Sequence, residues 1–169
     1  GTAKSYIAGS AFHCYGGVVE NQSIVKNSHP DRDIYFTECS GGGWIPSFAD
    51  TVLNFASDLI IGAPRNWAKT VVTWNLALDQ DGGPKISGGC GNCAGVVTIN
   101  SNTGAMTKNA EYYVLGHASR FVDPGALRIA SSNAVGAVEN VAFMNPDGSF
   151  VLIALNAESS TRSIEITWQ

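Results

Sequence analysis

The sequence lacks both a basic cluster and a long apolar run. Only 14% of the residues are charged, with 10 Lys and Arg against 14 Asp and Glu, and the formal net charge is -4. Nucleic acids and anionic membrane surfaces bind proteins through clustered Lys and Arg, and a membrane-spanning helix needs about 20 consecutive apolar residues. We therefore predict no nucleic-acid partner and no membrane span.

Spacings typical of a metal or phosphate site are also missing. None of the three histidines stands in an HxxxH pair, and the glycines at 41–43 are not followed by the Lys-Ser/Thr of a phosphate-binding loop. The sequence therefore predicts no metal site and no cofactor.

The four cysteines allow three interpretations. Cys90 and Cys93 form a CxxC pair, as in zinc sites and thioredoxin-type redox sites. Cys14 and Cys39 are far from that pair in sequence, however, and the CxxC lies in a glycine-rich stretch rather than between a strand and a helix. We favour two disulfides, Cys14–Cys39 and Cys90–Cys93. Because structural disulfides form outside the cytosol, this predicts a secreted or extracellular protein.

The sequence does contain enough apolar residues for an ordered core, since 44% of its 169 residues are hydrophobic. Apolar runs at 6–13, 33–37 and 70–78 predict parallel strands covered by helices on both faces. Ser47 and Asp50 form a capping box before a helix that Gly62 and Pro64 are expected to end. Its apolar residues Phe48, Val52, Phe55 and Leu59 recur at helical spacing. A second helix is predicted at 109–120, with Tyr112, Leu115 and Ser119 on one stripe.

The pattern changes after Gly125. Short strand-like runs follow at 127–130, 138–144, 150–156 and 163–168, and the turn Asn145-Pro146-Asp147-Gly148 joins the middle two. Such hairpin-built runs predict antiparallel sheet and a domain boundary near residue 126. The first part holds only about three βα units, whereas a closed eight-stranded (β/α) barrel takes about 250 residues. We therefore expect the chain to be a fragment of a longer one.

Polar and aromatic residues follow each of the three predicted parallel strands. His13 and Tyr15 end the first, Glu38 ends the second, and Trp74 and Asn75 end the third. Because function gathers at the carboxyl ends of parallel strands, we expect these side chains to share one site. A carboxylate beside a Tyr hydroxyl, a His and an indole is what a retaining glycosidase uses as nucleophile and sugar-binding surface.

Taken singly, these residues have other interpretations. Glu38 could accept a hydrogen bond from a loop amide, His13 could be a hydrogen-bonded structural histidine, and Trp74 could belong to the core.

Six segments together resemble, in order and spacing, the second half of glycoside hydrolase family 30. The resemblance covers nearly the whole chain, and its cysteine-bearing form is more similar to the microbial members than to the animal ones. The segments are AFHCYGG at 11–17, DIYFTECSGGGW at 33–44, TVVTWNLALDQDGGP at 70–84, GVVTI at 95–99, KNAEYYVLGHASRFVDPGALRI at 108–129 and MNPDGSFVLIALN at 144–156.

The resemblance implies an α/β plus β fold: residues 1–126 as the last three βα units of a (β/α)8 TIM barrel and residues 127–169 as part of an antiparallel β-sandwich. It implies Glu38 as nucleophile and Tyr15 as its hydrogen-bonding neighbour. His13, Trp74 and Asn75 are implied to line the sugar site, with Trp44 at the cleft rim.

The resemblance also implies what the chain does not supply. The family's acid/base Glu belongs to an Asn-Glu-Pro element, which this sequence lacks. The implied activity is hydrolysis of a β-glucosidic bond with retention, on a β-1,6-glucan or a glucosylceramide-type substrate, with the missing amino-terminal half of the barrel as partner.

Two alternatives stay open at this point. The chain could be a non-catalytic carbohydrate-binding or structural module that uses Trp44, Trp67 and Trp74 as stacking surfaces. It could also be a disulfide-stabilised α/β domain without a site.

Overall fold

Three separate three-stranded sheets contain the strands of the residues that the structure describes. The computed structural model describes residues 2–132 and 138–167. The strands are β1 Gly9–His13, β2 Asp33–Glu38, β3 Ala68–Val71, β4 Ala77–Leu78, β5 Val97–Ile99, β6 Met106–Lys108, β7 Leu127–Ile129, β8 Val138–Met144 and β9 Phe150–Asn156. The helices are α1 Asn21–Ser28, α2 Phe48–Phe55, α3 Ala63–Arg65 and α4 Ala110–Ser119, with a 3-10 helix at Thr2–Tyr6 and a π-helix at Ala56–Gly62.

The first sheet has the order β1-β2-β3 and is parallel throughout. Ile34 and Phe36 point from the central strand toward the helices and are buried, and Phe36 packs with Phe55 and Leu59 from the α2 region. Ala11 and Thr37 alternate with these positions and are exposed. The sheet is therefore covered by helices on one face, while residues on its other face remain open.

The second sheet, β4-β5-β6, is formed by the segment that connects β3 to α4. Pairing is parallel between β4 and β5 and antiparallel between β5 and β6. The pattern of the sequence did not predict β5 and β6, because each has only three residues and carries no long apolar alternation.

The third sheet, β7-β8-β9, is antiparallel, and the turn at 145–148 joins its two long strands. Val141 and Phe143 of β8 pack against Ile61 of the π-helix. Between the same two parts, Ser57 donates a hydrogen bond to Glu139 at 2.7 Å and Arg65 donates one to the Asn140 carbonyl at 2.8 Å. The sheet therefore rests on the helix that follows β2.

Two predicted strands are wrong in extent. The run at 70–78 is divided between two strands, because β2 ends at Glu38 and the backbone beyond Val72 has no strand to pair with. The backbone amide of Trp74 instead donates a hydrogen bond to the Cys39 carbonyl at 2.9 Å. The run at 6–13 begins as a strand only at Gly9, since β2 begins at Asp33 and leaves Tyr6 and Ile7 without a neighbour; both are exposed.

The predicted strand at 163–168 is also wrong over its described residues. Residues 163–167 have no regular structure, because no other described strand lies beside them to complete a ladder. Trp168 lies outside the described residues.

The helix that starts at Ser47 does not end at Gly62 and Pro64. Ser47 accepts a hydrogen bond from the Asp50 amide at 3.1 Å, as the capping box predicts. The chain then continues through the π-helix into α3, because the Ala63 amide still bonds to the Asp58 carbonyl and Pro64 stands in the first turn of α3. Helix α1 was not predicted, since its sequence NQSIVKNS is short and polar.

The face assigned to the last helix is shifted. In α4 the buried residues are Ala110, Glu111 and Val114, whereas Tyr112 and Ser119 are exposed. Leu115, the third residue of the predicted stripe, is partly buried and packs against the main core.

Candidate active site

The three strand ends of the parallel sheet meet at one edge, where Glu38 is the central acidic group. The β1–β2 register shifts after Phe12, so that His13 pairs with Glu38 instead of Thr37. An irregularity of this kind redirects a side chain at a strand end. It brings His13 Nδ1 to 3.8 Å from Glu38 Oε1.

Tyr15 is the second side chain beside the Glu38 carboxylate. Burial raises the pKa of Tyr15 to about 12, and the charge of Glu38 and a hydrogen bond to Glu38 act in the same direction. The Tyr15 and His13 rings lie edge to face, with centroids 6.0 Å apart. Since Tyr15 as a residue is still 57% exposed, solvent screens part of this interaction.

A disulfide joins the two strand ends that carry these residues. Cys14 and Cys39 are bonded to each other; Cys14 directly follows His13, and Cys39 directly follows Glu38. The Cys14 amide also donates to the Glu38 carbonyl at 3.3 Å. Cys39 is buried in the main core, so the Glu38 backbone is fixed from the core side.

The third strand end supplies an indole and an amide. The backbone amide of Trp74 donates to the Cys39 carbonyl at 2.9 Å, which places Trp74 next to the residue after Glu38. The Asn75 carbonyl accepts from the Val96 amide at 3.0 Å, which ties this strand end to the segment leading into β5. Trp74 is 53% exposed, so it is not the core residue of the alternative interpretation.

Trp44 lies on the loop that leaves Glu38. It is half exposed, and its ring packs over Gly42. Trp67, in contrast, lies just before β3 at the opposite end of the sheet, where its ring stacks with Arg128 at 5.0 Å. The three indoles therefore do not form one surface.

Sequence reasoning missed Glu111, a buried carboxylate near the loop after Glu38. One of its oxygens lies against Gly41, and burial raises the pKa of the Glu111 carboxyl, opposed in part by a hydrogen bond from its own backbone amide. Glu111 stands three residues before Val114 and therefore on the same, apolar side of the helix. This spacing is the signal that could have shown that Glu111 is buried.

A cavity of about 350 Å³ lies beside β1 and α1, and its lining reaches the end of β1 at His13 and Cys14. Its lining includes Phe12, Gln22 and Asp58, but not Glu38, Tyr15 or Trp74. Burial raises the pKa of Asp58, and the charges of Glu139 and Glu20 add to the effect. The carboxylate best placed for chemistry on a substrate is therefore Glu38.

The remaining sequence expectations concern disulfides, metals and membranes. Both expected disulfides are formed, the second joining Cys90 to Cys93. Within residues 2–132 and 138–167, no three His, Cys, Asp or Glu side chains are grouped as a metal site would require. No helix in this part of the chain has the length and apolarity to cross a bilayer.

Parallel strands with helices on one face, a strand-end carboxylate and an adjoining antiparallel sheet define part of a TIM barrel followed by part of a β-sandwich. The chain matches the glycosyl hydrolase family 30 TIM-barrel domain over residues 1–122 and the family's beta sandwich domain over residues 125–169. It belongs to glycoside hydrolase family 30.

Individual relatives agree with this assignment. The chain is 33% identical to the endo-1,6-beta-D-glucanase neg1 of Aspergillus fumigatus over 98% of its own length, and 34% identical to putative glucosylceramidase 2 of Caenorhabditis elegans over 91%. The structure of the endo-beta1,6-glucanase BT3312 superposes with a TM-score of 0.85 at 35% identity, covering 91% of the chain and 35% of that structure. The chain spans about a third of the curated relatives, 34% and 31% of their lengths.

Proposed function

We propose that the protein to which this chain belongs is a retaining β-glycoside hydrolase and that Glu38 is its nucleophile. The observation that carries the proposal is the group of Glu38, His13 and Tyr15 at the open end of β2, with the His13–Glu38 contact at 3.8 Å. In this reaction a Glu38 oxygen forms a bond to the anomeric carbon while the glycosidic bond breaks, and water later releases the sugar from Glu38.

The second carboxyl group of this mechanism is assigned to the rest of the barrel. In a retaining enzyme it lies about 5 to 5.5 Å from the nucleophile, protonates the leaving oxygen and then deprotonates the water. The Asn-Glu-Pro element expected to carry it is not in this sequence. We therefore also propose the amino-terminal half of the barrel as the structural partner, packed on the open face that Ala11 and Thr37 leave exposed.

The neighbours of Glu38 have distinct proposed roles. Tyr15 keeps the carboxylate oriented and ionised through its hydroxyl, because hydrogen bonding to the charged form favours that form. His13, Trp74 and Asn75 line the site of the attacked sugar, where an indole offers an apolar surface to a sugar face. Trp44 lies farther out, at the rim.

The proposed substrate is a β-1,6-linked glucan, with a glucosylceramide-type glucoside as second choice. Two observations favour the glucan: the Aspergillus relative matches 98% of the chain, and the structure with a TM-score of 0.85 is an endo-beta1,6-glucanase. The two disulfides agree with a secreted enzyme. The division into 1–126 and 127–169 remains our proposal for the domain boundary.

Mass spectrometry after treatment with a 2-deoxy-2-fluoro-β-glucoside that carries a dinitrophenyl leaving group tests the nucleophile. This leaving group departs without an acid catalyst, so the test depends on Glu38 alone. We expect one stable glycosyl adduct, located on the peptide that contains Glu38, and none in the matched variant Glu38→Gln. An adduct on another carboxylate, or no adduct in a correctly folded protein, would contradict the assignment.

A carbohydrate-binding module without catalysis is the second candidate, favoured by the half-exposed Trp44 and Trp74. It predicts that β-1,6-glucan binds the unmodified protein and Glu38→Gln equally while neither forms product. Trp67 has no part in this surface, because it lies at the other end of the sheet.

A further inference from the structure

The loop closed by the second disulfide lies against the segment that leaves the proposed nucleophile. We call residues 90–93 the cysteine loop and residues 41–43 the glycine segment. The Gly43 amide donates to the Asn92 carbonyl at 2.8 Å, and Gly42 forms an antiparallel bridge with Cys93. The Ala94 amide donates to the Gly41 carbonyl at 2.8 Å. Backbone pairing therefore fixes the glycine segment on the cysteine loop.

Trp44 depends on this pairing for its position. Its ring packs directly over Gly42, where a Cβ would overlap both the indole and the Asn92 carbonyl oxygen. Only a glycine leaves room for the indole, the backbone and the cysteine loop together. A movement of the cysteine loop would therefore be passed to the indole through Gly42 and Gly43.

The chain that leaves the cysteine loop also reaches the third strand end. The Val96 amide, six residues after Cys90, donates to the Asn75 carbonyl at 3.0 Å. Ser40 Oγ lies 3.5 Å from the Ala94 carbonyl. One short stretch thus contacts the loop after Glu38 on one side and the Trp74–Asn75 pair on the other.

We propose that the cysteine loop is a specificity-determining element of the substrate cleft, which positions Trp44 to bind a sugar unit beyond the one that Glu38 attacks. The proposal rests on the proposed function and adds to it a binding subsite for an oligosaccharide. Trp44 lies six residues past Glu38 on an outward loop, whereas His13 and Trp74 flank Glu38 itself. Asn92 is exposed beside Gly43 and offers its side-chain amide to sugar hydroxyls at the same place.

Two substrates separate this subsite from the chemistry. A dinitrophenyl β-glucoside occupies only the site at Glu38, whereas a β-1,6-linked gluco-oligosaccharide of several units also reaches Trp44. In the full-length natural protein that contains this chain, we expect the double variant Cys90→Ala/Cys93→Ala to raise KM for the oligosaccharide about tenfold, the effect of losing one well-packed aromatic contact. kcat and KM for the aryl glucoside should stay within about twofold.

A second variant tests the same idea without removing the disulfide. Gly42→Ala inserts a methyl group between the Trp44 ring and the Asn92 carbonyl, and should reproduce the oligosaccharide defect. Gly43→Ala adds the same group where its nearest neighbours are 3.7 Å away, so its effect should be clearly smaller. Ser101→Ala loses only the two hydrogen bonds between its hydroxyl and the Gln80 side chain, in the turn between β5 and β6. It is the control expected to behave like the unmodified protein.

The outcomes are distinguishable from failure of the proposed function. If the unmodified protein hydrolyses neither substrate, the proposed function fails. If it hydrolyses both, and both Gly42→Ala and the cysteine double variant leave the oligosaccharide KM unchanged, the subsite proposal is overturned. An equal loss on the two substrates in Gly42→Ala would likewise overturn it, because the loop would then support the whole site and not the indole.

Discussion

At the scale of single residues, Glu38 is stabilised by its neighbours, not by the core. His13 and Tyr15 contact it from β1, and the Cys14–Cys39 disulfide fixes the backbone on both sides of the group. A carboxylate at the end of an apolar strand would be costly if it were unpaired. Here its location is tolerated because a hydroxyl and an imidazole lie within reach.

Tyr15→Phe tests the role of the hydroxyl. A hydrogen bond to a charged group is worth about 1.5 to 3 kcal/mol, so kcat for a β-glucoside should fall about 10- to 100-fold if Tyr15 orients Glu38. Because the pKa of Tyr15 is raised from 10.0 to about 12, titration of the unmodified protein should show a tyrosine that ionises near pH 12. The contribution of the protonated Tyr15 hydroxyl to the free energy of unfolding is fully present below pH 10.0, the ordinary tyrosine pKa. It is lost as the pH rises to about 12. Tyrosinate absorbance during a pH titration of both proteins checks this, and a late transition that persists in Tyr15→Phe would refute it.

Glu111→Gln concerns the buried carboxylate of α4. Its folded-state pKa is raised, so the group favours folding below its unfolded pKa of 4.5 and this contribution is lost as the pH rises through the folded pKa. The variant removes the ionisation and should be more stable than the unmodified protein at neutral pH, but not at about pH 4. Urea unfolding at the two pH values measures the difference. Equal effects of the substitution at both would show that charge burial is not the cause.

At the scale of elements, two features of the chain fix the end of the sheet that carries Glu38: the register shift of β1 on β2 and the pairing of the cysteine loop with the glycine segment. Each joins positions that are far apart in sequence. Their alignment is therefore a property of the folded protein and of its two disulfides.

Reduction should open the two disulfides in a fixed order. Cys90 and Cys93 lie on a loop at the surface, whereas Cys39 is 3% exposed and its partner Cys14, although exposed, is held to it by the β1–β2 pairing. A limiting thiol reductant should therefore open Cys90–Cys93 first, because access governs thiol exchange. Alkylation and peptide mass spectrometry over time would show this order, and earlier labelling of Cys14 and Cys39 would contradict it.

The sequence predicted those elements whose apolar period is long enough to detect. Strand β2, the Ser47 cap and the hairpin of β8 and β9 were found, because Ile34 and Phe36 alternate and the Asn145–Gly148 turn is distinctive. Helix α1 and strands β5 and β6 were missed, since their pairing depends on distant segments. The residues grouped at the strand ends could be predicted because parallel strands end together, whereas the contact of the cysteine loop with Gly41–Gly43 has no local signal.

At the scale of the whole molecule, the antiparallel sheet β7-β8-β9 and the helices that follow β2 share a core and are not joined only by the chain between them. Ile61 of the π-helix is 2% exposed and packs with Val141 and Phe143 of β8, and two side-chain hydrogen bonds flank this contact. The antiparallel sheet thus stabilises the helix that follows β2.

Ile61→Ala should destabilise both parts together. Truncating a fully buried Ile costs about 2 to 5 kcal/mol. The matched control is Ile86, which is 84% exposed. Ile86→Ala should change the free energy of unfolding by less than about 0.5 kcal/mol. Denaturant unfolding followed by fluorescence and by circular dichroism measures both; a small loss confined to one of the two probes would contradict a shared core.

The last strand of the antiparallel sheet bears on how the protein behaves at high concentration. Strand β9 has the sequence FVLIALN, without a charge or a proline, and among the described residues it pairs only with β8. Phe150 and Leu152 are exposed on it. An uncharged, apolar edge of this kind is a template for other chains, so during refolding this strand is where self-association and fibril-like aggregation would begin.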